Sequence, residues 1–156
     1  MIIEPVRIPE EGRAYAGDEP AAILELAADA LLKPVGPIHY DLKAILVTGQ
    51  LVVTGRVGAR FTGPCCRCGC SMELEVVDPE FACDREIKDP TLVVDLTEDL
   101  RESILLVLPP YPVCRTECRG LCPRCGKNLN KATCKCKPLP PSGWEALSAF
   151  KVDDKA

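Results

Sequence analysis

A chain of 156 residues, 47% of them hydrophobic, can bury one modest core. Aromatic residues make up only 4%, which leaves Val, Leu, Ile and Ala to fill that core and weakens any mode of single-strand binding that stacks bases on side chains. A net charge of −4 argues against a protein that coats nucleic acid indiscriminately, and eleven cysteines are too many to explain as packing.

The opening MIIEPVRIPEEGRAY has no basic start, apolar segment or cleavage site, so it does not read as a signal peptide. No apolar run approaches the roughly 18–20 residues that span a bilayer. The expectation is a soluble, cytosolic chain. Ala21–Lys33 (AAILELAADALLK) spaces Ile23, Leu26, Ala27, Ala30 and Leu31 as a helix would, with Asp18 as a plausible cap and Pro34 and Gly36 as the stop. From Ile38 to Thr62 the pattern turns to Val, Ile and Thr with alternation: IHYDLKAILVT, then QLVVTGRVGARFT, with Gly49 at the turn between them. These predict antiparallel hairpins. Met72–Val77 resumes the alternation after a run of cysteines, and Leu92–Val94 predicts a short strand. Asp95 then caps a helix on which Leu96, Leu100, Ile104 and Leu108 recur every four residues, with Glu98 in the capping-box position and Pro109 and Pro110 as terminators. His39, the single histidine, falls in a strand and reads as structural; Asp95, Glu98, Asp99 and Glu102 read as a cap and the solvated face of the helix.

The expected fold is α+β: an antiparallel sheet, two main helices at about 21–33 and 96–108, and a C-terminal Cys-rich module held by zinc. Three regions are expected, a body over 1–110, a basic zinc-binding module over 111–139 and a tail over 140–156. Charge divides along the same lines. The body has ten Lys and Arg against nineteen Asp and Glu, whereas the module has Arg115, Arg119, Arg124, Lys127, Lys131, Lys135 and Lys137 against Glu117 alone. A metal held by four thiolates would offset part of that basic excess.

The stretch YPVCRTECRGLCPRCGKNLNKATCKCKPLPPSG is rich in turn residues and has no apolar period, so it cannot build its own core. Four cysteine pairs explain what holds it: Cys65-x2-Cys68, Cys114-x3-Cys118, Cys122-x2-Cys125 and Cys134-x-Cys136. In a reducing compartment, clustered thiols bind metal more often than they form disulfides. Cys122-Pro-Arg-Cys125-Gly126 is the strongest, because two thiolates there bracket a tight turn whose amides point at the sulfurs, and the glycine permits its positive φ. Cys134 and Cys136 lie on one side of an extended strand. The simplest first site is therefore Cys122, Cys125, Cys134 and Cys136, with Cys65, Cys68, Cys114 and Cys118 as a second, tying the sheet to the segment after the helix. An equally legal partition groups Cys114, Cys118, Cys122 and Cys125 and leaves the outer pairs together. Cys66, Cys70 and Cys83 need no role beyond half-buried thiols.

Competing chemistry is weaker. A redox dithiol at Cys65/Cys68 would want a helix N-terminus, yet both flanks read as strand. The ribbon-like turn favours a mononuclear site over an iron–sulfur cluster. No nucleotide-binding loop and no nucleophile with a histidine partner is present, so no enzyme is expected.

The residues resemble the YceD family. The resemblance rests on Cys65–Cys68 after a hairpin, the acidic helix start over Val94–Leu106, Leu108–Pro109, and the run from Cys114 to Cys136 with its Gly120–Asn130 core; Trp144–Val152 resembles the family's terminal apolar stretch. It covers about residues 40–152. The resemblance implies a non-enzymatic factor that supports large-subunit ribosomal RNA accumulation and ribosome biogenesis, with pre-ribosomal RNA or a large-subunit ribosomal protein as partner. Zn2+ (one or two ions) would be structural. Arg119, Arg124, Lys127, Lys131, Lys135 and Lys137 would then be RNA-binding candidates, with Asn128 and Asn130 either adding polar contacts or holding turn backbone. The alternatives are a thiol redox protein using Cys65/Cys68 and a zinc-dependent protein-binding adaptor.

Overall fold

Most of the chain before the helix is extended. In the computed structural model, which describes residues 1–89 and 91–137, a four-stranded antiparallel meander runs in chain order from β2 (Arg13–Glu19) through β3 (Lys33–Val47) and β4 (Gln50–Pro64) to β5 (Ser71–Glu86). Two short strands, β1 (Ile2–Ile3) and β6 (Val94–Asp95), pair separately, and one helix, α1 (Thr97–Val107), follows. The tail at 140–156, including Trp144–Val152, lies outside the described residues.

β3 and β4 join through a two-residue turn in which Thr48 and Gly49 both have positive φ (50° and 79°), the backbone that matches the twist of paired strands. Alternation then sorts the side chains. Ile38, Leu42 and Ala44 of β3 and Leu51, Val53, Val57, Ala59 and Phe61 of β4 are buried on one face, where Leu96, Leu100 and Ile104 cover them. On β5 the buried residues are Val76 and Phe81, five apart, which strict alternation forbids. A bulge resolves this. Gly55 pairs with Phe81 and Val57 with Asp78, so one β4 residue faces two on β5, and Pro79 sits in the gap where no ladder donor is needed.

The expected two-helix α+β architecture is not what forms: the described residues make a long antiparallel sheet with one α-helix. The segment expected to be a helix at 21–33 makes only a 3-10 turn over Ala21–Leu24, ended by Glu25 in the left-handed region (φ 47°). Its buried residues are Leu24 and Leu32, not the Ile23–Leu31 stripe, because the chain must reach the sheet edge: β3 begins at Lys33. Pro34 and Gly36 stop no helix; they lie where the register between β3 and β4 shifts. Asp18 caps nothing. It sits on β2, its Oδ1 2.5 Å from Nδ1 of His39 on the exposed face of the sheet. The second helix forms over Thr97–Val107, with Asp95 Oδ1 accepting from the Thr97 amide (2.9 Å) and hydroxyl (2.6 Å). Its acids hold structure. Glu98 pairs with Arg101 (2.7 Å) and Asp99 with Arg85 (2.5 Å). Ser103 donates to Asp78 (2.8 Å), so α1 is fastened to β5 as well as packed on it.

Candidate metal centres

The turn from β4 to β5 is a knuckle whose cysteines could hold a metal. Pro64 and Ser71 are the last ladder partners, and residues 65–70 close the hairpin with the Cys65 amide on the Cys70 carbonyl and the Gly69 amide on the Cys65 carbonyl, both 2.8 Å. Gly69 has φ 69°, the backbone that a residue with a Cβ resists. After α1, Pro109 and Pro110 send the chain back along this tip: the Cys66 amide donates to the Pro112 carbonyl (2.9 Å) and the Cys114 amide to Cys65 Sγ (3.3 Å). Cys65, Cys68, Cys114 and Cys118 thereby converge, with Cys65 and Cys118 sulfurs 3.9 Å apart and Cys68 and Cys114 sulfurs 3.8 Å apart.

A second group forms from the next knuckle. The Gly126 amide bonds the Cys122 carbonyl (2.9 Å) and the Cys122 amide the Lys127 carbonyl (2.8 Å). Cys122, Cys125, Cys134 and Cys136 all have their sulfurs within 4.8 Å of one another, Cys122 to Cys134 being 3.5 Å. Of the two partitions that spacing allows, these are the sets brought together.

The donor chemistry fits a mononuclear metal. A tetrahedron with metal–sulfur bonds of about 2.3 Å has edges of about 3.8 Å, close to the 3.8 Å and 3.9 Å separations in the first group and the 3.5 Å one in the second. All eleven thiols are free of disulfide bonds. Sulfurs that ligate a multi-iron cluster stand farther apart, because iron and sulfide ions lie between them. The polypeptide also prepares thiolates. Amides of Cys114, then Cys68 and Arg67, pull the Cys65 thiol down to about 6 against its burial, and amides of Cys125 and Arg124 do the same for Cys122. One member of each set shows the opposite strain. Cys114 is pushed up by burial and by its neighbouring sulfurs, and Cys136 is raised to about 12, chiefly by Cys125. Four sulfurs so close cannot all ionise without a cation among them.

The two groups are physically joined, which spacing alone did not reveal. Asn130 donates from Nδ2 to Cys118 Sγ (3.3 Å), while its Oδ1 accepts from the Arg119 amide (2.8 Å) and Arg115 Nη2 (3.1 Å). Asn128 Oδ1 in turn accepts from Asn130 at both N (2.9 Å) and Nδ2 (3.0 Å). Arg67, inside the first knuckle, donates to the Cys118 carbonyl (3.1 Å), and its own carbonyl accepts from the Leu121 amide (3.1 Å). The signal for the first knuckle was present as Cys65-x2-Cys68-Gly69, and the expected role of Asn128 and Asn130 in holding turn backbone is seen in their bonds to the Asn130 and Arg119 amides; the bonds that Asn130 and Arg67 make to Cys118 had no local signal. Arg119, Arg124, Lys127, Lys131, Lys135 and Lys137 are all exposed around these groups. A shallow depression of about 550 Å³ on the sheet face bearing His39, Arg60 and Glu75 mixes both signs of charge and lies apart from the sulfurs. No helix among the described residues is long and apolar enough to cross a membrane.

The family model described as large ribosomal RNA subunit accumulation protein YceD matches residues 75–151. An uncharacterized protein of Mycobacterium tuberculosis is 37% identical over 106 residues, 59% of this chain and 51% of that protein. An uncharacterized protein of Mycobacterium leprae is 34% identical over 107 residues, 60% of this chain and 49% of that one. The chain thus spans about half the length of these curated relatives. The large ribosomal RNA subunit accumulation protein YCED homolog 1, chloroplastic, of Zea mays is 38% identical over 55 residues, 35% of this chain and 19% of its own. No solved structure matches the chain.

Proposed function

We propose, from the match of residues 75–151 to the YceD family model, that the chain is a member of that family and supports the accumulation of large-subunit ribosomal RNA as a non-enzymatic factor in ribosome biogenesis. The observation that carries this is the pair of four-sulfur groups, which fix a basic surface onto the end of an acidic sheet domain. In this account Cys65, Cys68, Cys114 and Cys118 hold one zinc ion and Cys122, Cys125, Cys134 and Cys136 another. An all-thiolate tetrahedral set suits zinc. Bound zinc supplies a cross-link and positive charge to the thiolates, and with four protein ligands it keeps no open position for substrate.

The chain's own residues supply recognition. Arg119, Arg124, Lys127, Lys131, Lys135 and Lys137 neutralise phosphates, and because the scaffold beneath them is fixed in advance, little ordering cost falls on binding. The acidic body disfavours RNA elsewhere and leaves room for a basic large-subunit ribosomal protein as a second partner. The protein would act in the cytoplasm, without a membrane or a small-molecule substrate. A thiol redox role for Cys65/Cys68 has less support: their sulfurs face Cys118 and Cys114, and both residues are buried from a disulfide substrate.

Depleting the protein from cells and measuring the ratio of large- to small-subunit ribosomal RNA tests the proposal. A selective fall in the large-subunit RNA is expected; an unchanged ratio overturns it.

A further inference from the structure

The first sulfur group has a fifth thiol against it. Cys70 is half-buried where the hairpin resumes, and its carbonyl takes the Cys65 amide (2.8 Å). Its Sγ stands 3.2 Å from Cys68 Sγ, closer than the 3.5 Å to 3.9 Å separations across the two four-sulfur groups. Neither other spare thiol is in this position: Cys66 is exposed, and Cys83 pairs in register with Val53 and packs on the aliphatic core. The second group has four sulfurs and, among the described residues, no fifth in contact with them.

We propose that Cys68 and Cys70 are an oxidative modification site: hydrogen peroxide joins them in a disulfide and removes Cys68 from the metal's donor set. This rests on the metal centre proposed above. The Cys68 thiolate attacks one peroxide oxygen and the O–O bond breaks, leaving a sulfenic acid on Cys68 and a hydroxide that takes a proton to become water. Cys70 sulfur then attacks the Cys68 sulfur. The S–S bond forms, the S–O bond breaks, and the oxygen leaves as a second water with the Cys70 proton. One thiolate, one thiol, one proton and one peroxide thus give one disulfide and two waters, the two sulfurs supplying the two electrons. Only Cys65, Cys114 and Cys118 would remain as ligands, and since Cys114 and Cys118 tie the post-helix segment to the hairpin tip, loss of the metal there loosens the basic surface from the sheet.

The test uses the full chain loaded with zinc, with metal content measured before peroxide is added. A chromogenic chelator then follows zinc release, and tryptic mapping follows the thiols; cleavage after Arg67 and Arg85 yields one peptide containing Cys68, Cys70 and Cys83, whose fragment ions report which two are joined. The wild type should release one of two zinc ions and carry a Cys68–Cys70 bond, while Cys70→Ser should take up both ions and release the first at least about tenfold more slowly. Release from Cys70→Ser at the wild-type rate overturns the proposal, as does a wild-type map showing Cys68 overoxidised or bonded elsewhere. If Cys70→Ser does not fold, the wild-type map alone decides. A chain that takes up no zinc overturns the metal-centre reading instead, and the same map still decides the pairing.

Discussion

Gly69, Gly120 and Gly126 share φ values near +70° (69°, 70° and 68°) but differ in what surrounds them. A Cβ at Gly69 or Gly126 would meet nothing within 4 Å, whereas one at Gly120 would lie 3.1 Å from the Arg67 carbonyl oxygen. Gly126→Ala should therefore cost about 1–2 kcal/mol, the backbone penalty alone. Gly120→Ala should cost more, since it also presses on the seam between the two sulfur groups; thermal melts of the metal-loaded variants check the order. Asn130→Ala removes the donor to Cys118 and the acceptor for the Arg119 amide, and should weaken metal binding at the first group by roughly 10–100-fold in a chelator competition. Acid should act through Cys65 and Cys122. Their folded pKa of about 6 lies below the ordinary thiol value of 9.0, so in metal-free protein their contribution is full above that value and is lost as pH falls toward 6. Denaturant titrations at pH 6 and pH 9 should show the metal-free fold more stable at the higher pH. The cysteines of the two four-sulfur groups were legible at this scale because chelating spacing is local. Asn130 was legible as a turn residue but not as a partner of sulfur, because Cys118 lies twelve residues back and meets it only when both knuckles have formed.

Among the elements, the hairpin around Gly49 and helix α1 could be read from alternation, turn chemistry and a four-residue apolar period, since the same residues that carry those patterns are the ones buried. The segment at 21–33 misled for a physical reason. Its Ala and Leu content favours helix intrinsically, but propensity is a weak prior against tertiary demand, and here Leu24 and Leu32 are taken into the core while the chain runs on to the sheet. β2 escaped notice because Arg13–Glu19 contains small and charged residues, with Tyr15 its one strong strand former. A pair of substitutions separates the two descriptions. Leu31 is 46% exposed and Leu32 only 4%, so Leu31→Ala should fall within about 0.5 kcal/mol of wild type and Leu32→Ala should lose about 2–5 kcal/mol. A helix with Leu31 on its buried stripe would reverse that order, and urea unfolding of the two variants reads it directly.

At the scale of the molecule, stability comes from two separate sources. The aliphatic core beneath α1 holds the sheet, and a distinct cluster around Cys65, Cys68 and Cys118 holds the end of the β4–β5 hairpin to the basic segment. Removing metal with a strong chelator should thus expose amides over residues 112–137 to hydrogen exchange while β3 and β4 stay protected. Which cysteine pairs come together was open from spacing, because spacing sets each pair but not its partner. The choice depends on α1 returning the chain to the hairpin tip. The measurement that tests the account most directly is native mass spectrometry of the metal-loaded chain, followed by alkylation of accessible thiols. Two zinc ions should be bound with the eight cysteines of the two groups protected; of the other three, exposed Cys66 should react first and Cys70 and Cys83, both half-buried, more slowly. A chain carrying no metal, or iron and sulfide, or disulfides among those eight, would contradict it.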